Sequence, residues 1–71
     1  MKKYLIVVEE TNTGYSSYSP DLDGCVATGR TEEEVKRNMR EAIEFHLKGL
    51  RLEKYRIPEP RSFSAYVEVA T

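Results

Sequence analysis

The chain opens on a run whose apolar residues fill both registers of an extended segment. Tyr4, Ile6 and Val8 fall on one face and Leu5 and Val7 on the other. With β-branched residues in its middle, the pattern predicts an interior strand over Lys3 to Glu10, one side covered by a helix and the other by something else. Asn12-Thr13-Gly14 then supplies hairpin chemistry, and Tyr15 to Ser19 predicts a poorer second strand with Tyr15 and Tyr18 on opposite faces. Pro20 has no backbone donor and pushes Ser19 toward extended geometry, so this strand stops there. Asp21, Asp23 and Gly24 bring turn chemistry, the aspartates by bonding nearby N–H groups and Gly24 by tolerating positive φ. Cys25 to Thr28 follows as a short third strand ended by Gly29.

The period then changes from two to that of a helix. Thr31 is a natural N-cap, Glu34 three residues later completes a capping box, and Glu32 and Glu33 suit the positive end of the helix dipole. A helix is predicted from about Glu32 to about Leu52, with Gly49 its one weak interior point. Val35, Met39, Ala42, Ile43, His46, Leu47 and Leu50 share one face, the stripe that packs on the sheet. Glu33, Lys36, Arg37, Arg40, Glu44, Lys48 and Arg51 form a solvated opposite face. Arg56-Ile57-Pro58-Glu59-Pro60 is an extended connector that ends the helical run, and Ser62 to Val69 alternates as a last strand. In that strand Phe63, Ala65, Val67 and Val69 fall on one face, and Ser64, Tyr66 and Glu68 on the other.

These elements define an α+β domain of order β-β-β-α-β. A right-handed crossover would lay the last strand beside and parallel to the first, giving sheet order 3-2-1-4 with one helix on one face. The other face, carrying Leu5, Val7, Tyr66 and one of the second-strand tyrosines, is left for dimerisation or a bound partner to shield. Two further side chains bear on this. Leu22, at the tip of a polar loop, either folds back onto the core or waits for a partner, and the ordinary behaviour of lone aliphatics favours folding back. Phe45 lies off the main stripe beside Glu34, Asn38 and Gly49, as a surface ring or a subunit contact.

Seventy-one residues fit a single domain, 1–71, whose core is marginal without a partner, a metal or a disulfide. The lone Cys25 excludes an intrachain disulfide and suits a reducing compartment. The N-terminal apolar run is too short for a secretory signal and is followed at once by Glu9 and Glu10. Nothing reaches membrane-spanning length, so a soluble, cytoplasmic protein is expected. A formal net charge of −1 provides no basic stripe for phosphates, which argues against direct nucleic-acid binding.

Tyr18-Ser19-Pro20-Asp21-Leu22-Asp23-Gly24-Cys25-Val26-Ala27-Thr28-Gly29, followed by the Thr-Glu-Glu-Glu helix start, resembles the N-terminal domain of HicB-like antitoxins. The resemblance continues through Ala42-Ile43-Glu44-Phe45-His46-Leu47-Lys48-Gly49-Leu50 and Ile57-Pro58-Glu59-Pro60, and so spans nearly the whole chain. It implies a truncated, degenerate ribonuclease H-like fold and an antitoxin-type binding module that neutralises a small HicA-like mRNA-cleaving toxin by occlusion. On the family motif, Tyr18, Pro20, Asp21, Leu22, Gly24 and Cys25 are the expected partner-binding residues, Pro20 and Gly24 in part by shaping the loop. A homo-oligomer is expected as well. Many relatives continue into a DNA-binding domain; the chain stops at Thr71, so no such domain is expected here. A stand-alone oligomeric adaptor without a toxin is the alternative, and a residual ribonuclease a more distant one.

The residues give little support to catalysis, so no enzyme activity is expected. A ribonuclease H centre clusters carboxylates from the first strand, the helix and the fourth strand around metal ions, whereas the middle of the first strand here is Leu5-Ile6-Val7. Asp21-Leu22-Asp23-Gly24 brushes against a calcium loop but places Val26 where its glycine belongs. His46 has no second histidine and reads as a core or interface residue; Cys25 reads as small strand packing. No metal and no cofactor are expected.

Overall fold

The computed structural model describes all 71 residues. Three antiparallel strands, β1 (Val7–Glu10), β2 (Tyr15–Tyr18) and β3 (Val26–Gly29), are followed by one long helix, α1 (Glu32–Leu52). The sheet runs β1-β2-β3, with Val7 opposite Tyr18 and Tyr18 opposite Val26. The α+β class, the three antiparallel strands and the helix therefore stand as the sequence predicts, except that β1 begins at Val7 and not at Lys3, because its partner β2 ends at Tyr18, opposite Val7. The predicted hairpin closes through Thr11, whose N–H donates to the Gly14 carbonyl at 2.8 Å.

Alternation sorts each strand. Val8 pairs with Ser17 and Ser17 with Ala27, and this row faces the helix together with Tyr4 and Ile6. Leu22, Cys25 and Met39 form the buried cluster, joined by partly buried Tyr4, Ile6, Ala27, Ala42, Ile43 and Leu47. Val35 and Met39 are fully buried, so the predicted helical stripe does pack on the sheet. Six of the 71 residues are buried, and so small a core explains why so much apolar side chain remains in water.

The helix ends are built from local chemistry. Thr31 Oγ1 accepts from the Glu34 N–H at 3.0 Å, and Glu34 Oε1 reaches back to the Arg30 N–H at 2.8 Å, one residue earlier than the expected capping box would have it. Gly29 lets the helix start lie against β3. A Cβ there would sit 2.5 Å from the Val35 nitrogen and 2.8 Å from its Cα, an approach that only glycine permits. Asn38 Nδ2 adds a 2.8 Å bond to the Thr28 carbonyl, tying α1 to β3. At the other end Lys54 takes φ of 61°, while the Lys54 and Tyr55 N–H groups cap the Arg51 and Leu50 carbonyls at 3.1 and 2.9 Å. This is the double-bonded left-handed helix stop, with lysine where glycine is commonest.

The fourth strand does not form within the single chain. From Phe63 to Thr71 the backbone makes no hydrogen bond, and the place beside β1 in the expected 3-2-1-4 order is unfilled. The connector explains why. Tyr4 Oη donates to the Pro58 carbonyl at 2.6 Å, Lys2 Nζ pairs with Glu59 at 2.6 Å, and the next residues are gripped by Asp21 in the β2–β3 loop. Pinned first at the N-terminal segment and then at that loop, residues 63–71 are launched outward as an arm, and the molecule measures 48 × 27 × 20 Å.

Candidate partner-binding site

The loop from Ser19 to Cys25 is two consecutive turns. The Leu22 N–H donates to the Ser19 carbonyl at 3.2 Å and the Cys25 N–H to the Leu22 carbonyl at 3.3 Å; Ser19 N–H to Cys25 carbonyl, at 3.4 Å, closes the base. Pro20 occupies the second position of the first turn, where its fixed φ fits. Gly24, with φ of +74°, occupies the third position of the second. Ser19 Oγ donates to the Leu5 carbonyl at 2.9 Å and fastens the loop to the segment leading into β1. Leu22 folds back and is 1% exposed, the favoured one of its two expected positions. It holds the loop down from within.

Of the motif residues, Leu22 and Cys25 lie in the chain's own core, whereas Tyr18, Pro20 and Gly24 face solvent. Burial pushes the Cys25 thiol above its ordinary range and keeps it protonated. Asp21 is partly exposed but occupied. Its Oδ2 accepts from the Arg61 and Ser62 N–H groups at 3.1 and 3.0 Å, and its Oδ1 accepts from Ser62 Oγ at 3.0 Å. The Ser62 N–H bond is the main reason that this carboxyl sits below its ordinary 3.8, with the Ser62 hydroxyl, the Arg61 N–H and the Arg61 charge adding to it against a partial desolvation cost. Asp23 is left as the exposed acid of the loop.

Beside the loop, on the sheet face away from α1, Val7, Tyr18 and Val26 form a cross-strand row by register. Val26 is 66% exposed and Tyr18 43%. Neither valine was among the motif residues singled out, yet alternation points to both: Val7 belongs to the uncovered face of β1, and Val26 stands one step beyond buried Cys25. The arrangement can present an apolar strip beside a rigid polar loop tip. A second apolar groove flanks the other side of α1, where exposed Phe45, Leu52 and Tyr55 surround half-buried His46. No three His, Cys, Asp or Glu side chains converge on a common point. No helix is long and apolar enough to cross a membrane.

Fold and site together define a small α+β module with an exposed apolar strip beside a loop braced by two turns. The profile of the HicB-like antitoxin of bacterial toxin–antitoxin systems matches residues 4–70, and the chain belongs to that family. It is similar to a 14.9 kDa protein encoded in the rep-hol intergenic region of Haemophilus phage HP1, 34% identical over 64 residues that make up 90% of this chain and 48% of that protein. Among solved structures, a chain of a HicA3 and HicB3 toxin–antitoxin complex superposes with TM-score 0.72 at 33% identity, over 83% of this chain and 70% of that one. The antitoxin HicB3 superposes with TM-score 0.70 at 35% identity, over 80% of this chain and 42% of its own. The chain thus spans about half the length of the phage relative and less than half of that HicB3 chain.

Proposed function

We propose that this chain is an antitoxin-type binding module that neutralises a small HicA-like mRNA-cleaving toxin by covering it, acting in the cytoplasm through binding and not catalysis. The observation that carries this reading is the superposition, at 33% identity, on a chain from a HicA3 and HicB3 complex. The physical basis is the apolar row Val7–Tyr18–Val26 set against a loop held rigid by two turns and by Leu22. An apolar strip with a polar rim is the usual anatomy of a protein contact. Tyr18, Pro20 and Gly24 supply contacts at the surface, whereas Leu22 and Cys25 contribute by shaping the loop. A ribonuclease surface that binds RNA is basic, and Asp23 steers it because the Asp21 carboxylate is already engaged.

The test is co-expression with a HicA-like toxin, scored for growth and for co-purification. Rescue with a stable complex is expected; a toxin that neither binds nor is neutralised would overturn the proposal. A stand-alone oligomeric adaptor is the second reading, favoured by the exposed apolar arm. It predicts self-association with no toxin bound.

A further inference from the structure

We infer that the outer flank of α1, from Phe45 to Leu52, is a seat for a helix of the toxin, which packs against α1 at Gly49. This rests on the antitoxin reading and adds a second contact surface to it. Gly49 is a residue that the chain itself does not need. It stands inside α1, where glycine is the poorest helix former short of proline. It takes no positive φ, and a Cβ there would meet no atom within 4 Å. Gly24 is required by its left-handed turn and Gly29 by the closeness of Val35, but neither reason applies to Gly49. What the missing side chain leaves is a notch in the surface.

The notch lies between two large apolar side chains. Phe45, Gly49 and Leu52 recur at helical spacing along one line of α1, and Phe45 and Leu52 are 79% and 74% exposed. Exposed Tyr55 and half-buried His46 and Leu50 complete a groove of about 580 Å³ whose far wall is Gly24, Cys25 and Val26. Two ridges with a one-residue gap between them, running along a helix, fit the side of a second helix, and glycine at the crossing lets the two backbones approach. An added strand would find nothing to pair with on α1, whose own ladder and the Glu53 N–H cap on the Gly49 carbonyl, at 3.1 Å, close its backbone.

Charge decides what kind of helix this is. The groove on the other flank of α1 is walled by Lys2, Lys3, Lys36, Arg40 and Arg51 against one acid, Glu44. No lysine or arginine lines the Phe45 groove, where the acid is Glu53. Exposed Glu41 borders the stripe by helical projection, and exposed Asp23 adjoins Gly24 at the loop tip. The net charge of −1 therefore conceals a split, basic on one flank and acidic on the other. A toxin surface that binds RNA is basic, so it is drawn to the acidic flank and repelled by the basic one. Val26 also joins this seat to the strip already described. It belongs to the Val7–Tyr18–Val26 row and to the groove wall at once, so the two form one apolar surface around the β3 edge.

Calorimetric titration of the intact chain with a purified HicA-like toxin tests the seat. Gly49→Ala and Gly49→Leu should each keep the helical circular dichroism signal and raise Tm by about 3–8 °C, because each puts a better helix former into open space. Gly49→Leu should nevertheless bind the toxin at least about tenfold more weakly, since its side chain fills the notch, and Phe45→Ala should lose about as much with Tm unchanged. Glu41→Lys together with Glu53→Lys should slow association at low salt more than at high salt. Wild-type affinity in Gly49→Leu, or a fall in Tm in both glycine variants, would overturn the seat while leaving the antitoxin reading in place. So would variants that change the mass of the free chain in light scattering and not its affinity for the toxin, which would make this flank a contact between copies. A toxin that the wild-type chain does not bind would overturn the antitoxin reading and the seat with it.

Discussion

Leu22 lies in the middle of the motif that carries the family resemblance, yet only 1% of it is exposed. If its role is to hold the loop from beneath, Leu22→Ala should act on stability first. Removing a buried leucine beyond Cβ typically costs about 2–5 kcal/mol. The side chain packs with Met39 and Cys25 in a core of four buried apolar residues, where little can collapse to fill the hole, so about 3 kcal/mol is expected. At about 0.05–0.15 kcal/mol per residue a chain of this length has about 4–11 kcal/mol in all. The loss should therefore lower Tm by about 12–24 °C, at about 4–8 °C per kcal/mol for a domain of this size. Leu22→Met, which conserves volume, should cost under about 1.5 kcal/mol. Thermal melts by circular dichroism measure both. Titration with the partner protein, well below either Tm, should find wild-type affinity for the methionine variant. A fall in Tm under about 4 °C, together with tenfold weaker partner binding, would refute the argument and make Leu22 a contact residue after all.

Two further expectations follow from the geometry. Lys54 stops α1 with φ of 61°, in the left-handed region that costs an ordinary residue about 1–2 kcal/mol, so Lys54→Gly should raise Tm by several degrees; an unchanged or lower Tm would count against strain at this stop. The Asp21 carboxyl is held below its ordinary 3.8, so its grip on the arm is fully present above that value and lost as pH falls through the lower folded value; the Arg61 and Ser62 amide shifts should move together in this acid window, and D21N should abolish that titration.

Much of the fold was legible because its signals are local. Thr31 and Glu34 mark the helix start, Asn12-Thr13-Gly14 marks the hairpin, and Val35, Met39, Ala42, Ile43 and Leu47 keep a helical period that survives packing. The alternation of the last segment was legible, but the strand it predicts does not form within the chain. Alternation from Phe63 to Val69 says that the segment wants an edge and two faces; it does not say whose. The segment's course away from β1 follows Tyr4 holding Pro58 and Asp21 holding Ser62, contacts across 54 and 41 residues that no periodicity encodes. The uncovered sheet face was foreseen through Leu5, Val7 and a second-strand tyrosine. Its row, however, runs on to Val26, a residue obscured in sequence by the motif glycine and cysteine just before it.

The Asp21 contacts also change what a family-like motif can be taken to mean. Three hydrogen bonds commit its carboxylate to the base of the arm, and Leu22 and Cys25 are committed to the core. Half of the six residues that resemblance nominated as partner contacts thus have full employment inside the chain. Their chemistry sets the loop's shape and the arm's direction, and both must be in place before any surface can be presented. Substituting them would weaken binding indirectly, by freeing the loop or the arm, so loss of affinity at Asp21, Leu22 or Cys25 cannot by itself map an interface. The informative positions are those with exposure and no internal partner: Tyr18 and Val26 on the strip, and Asp23 at the tip. At these three, a loss of binding without a change in Tm would place the partner on the open face.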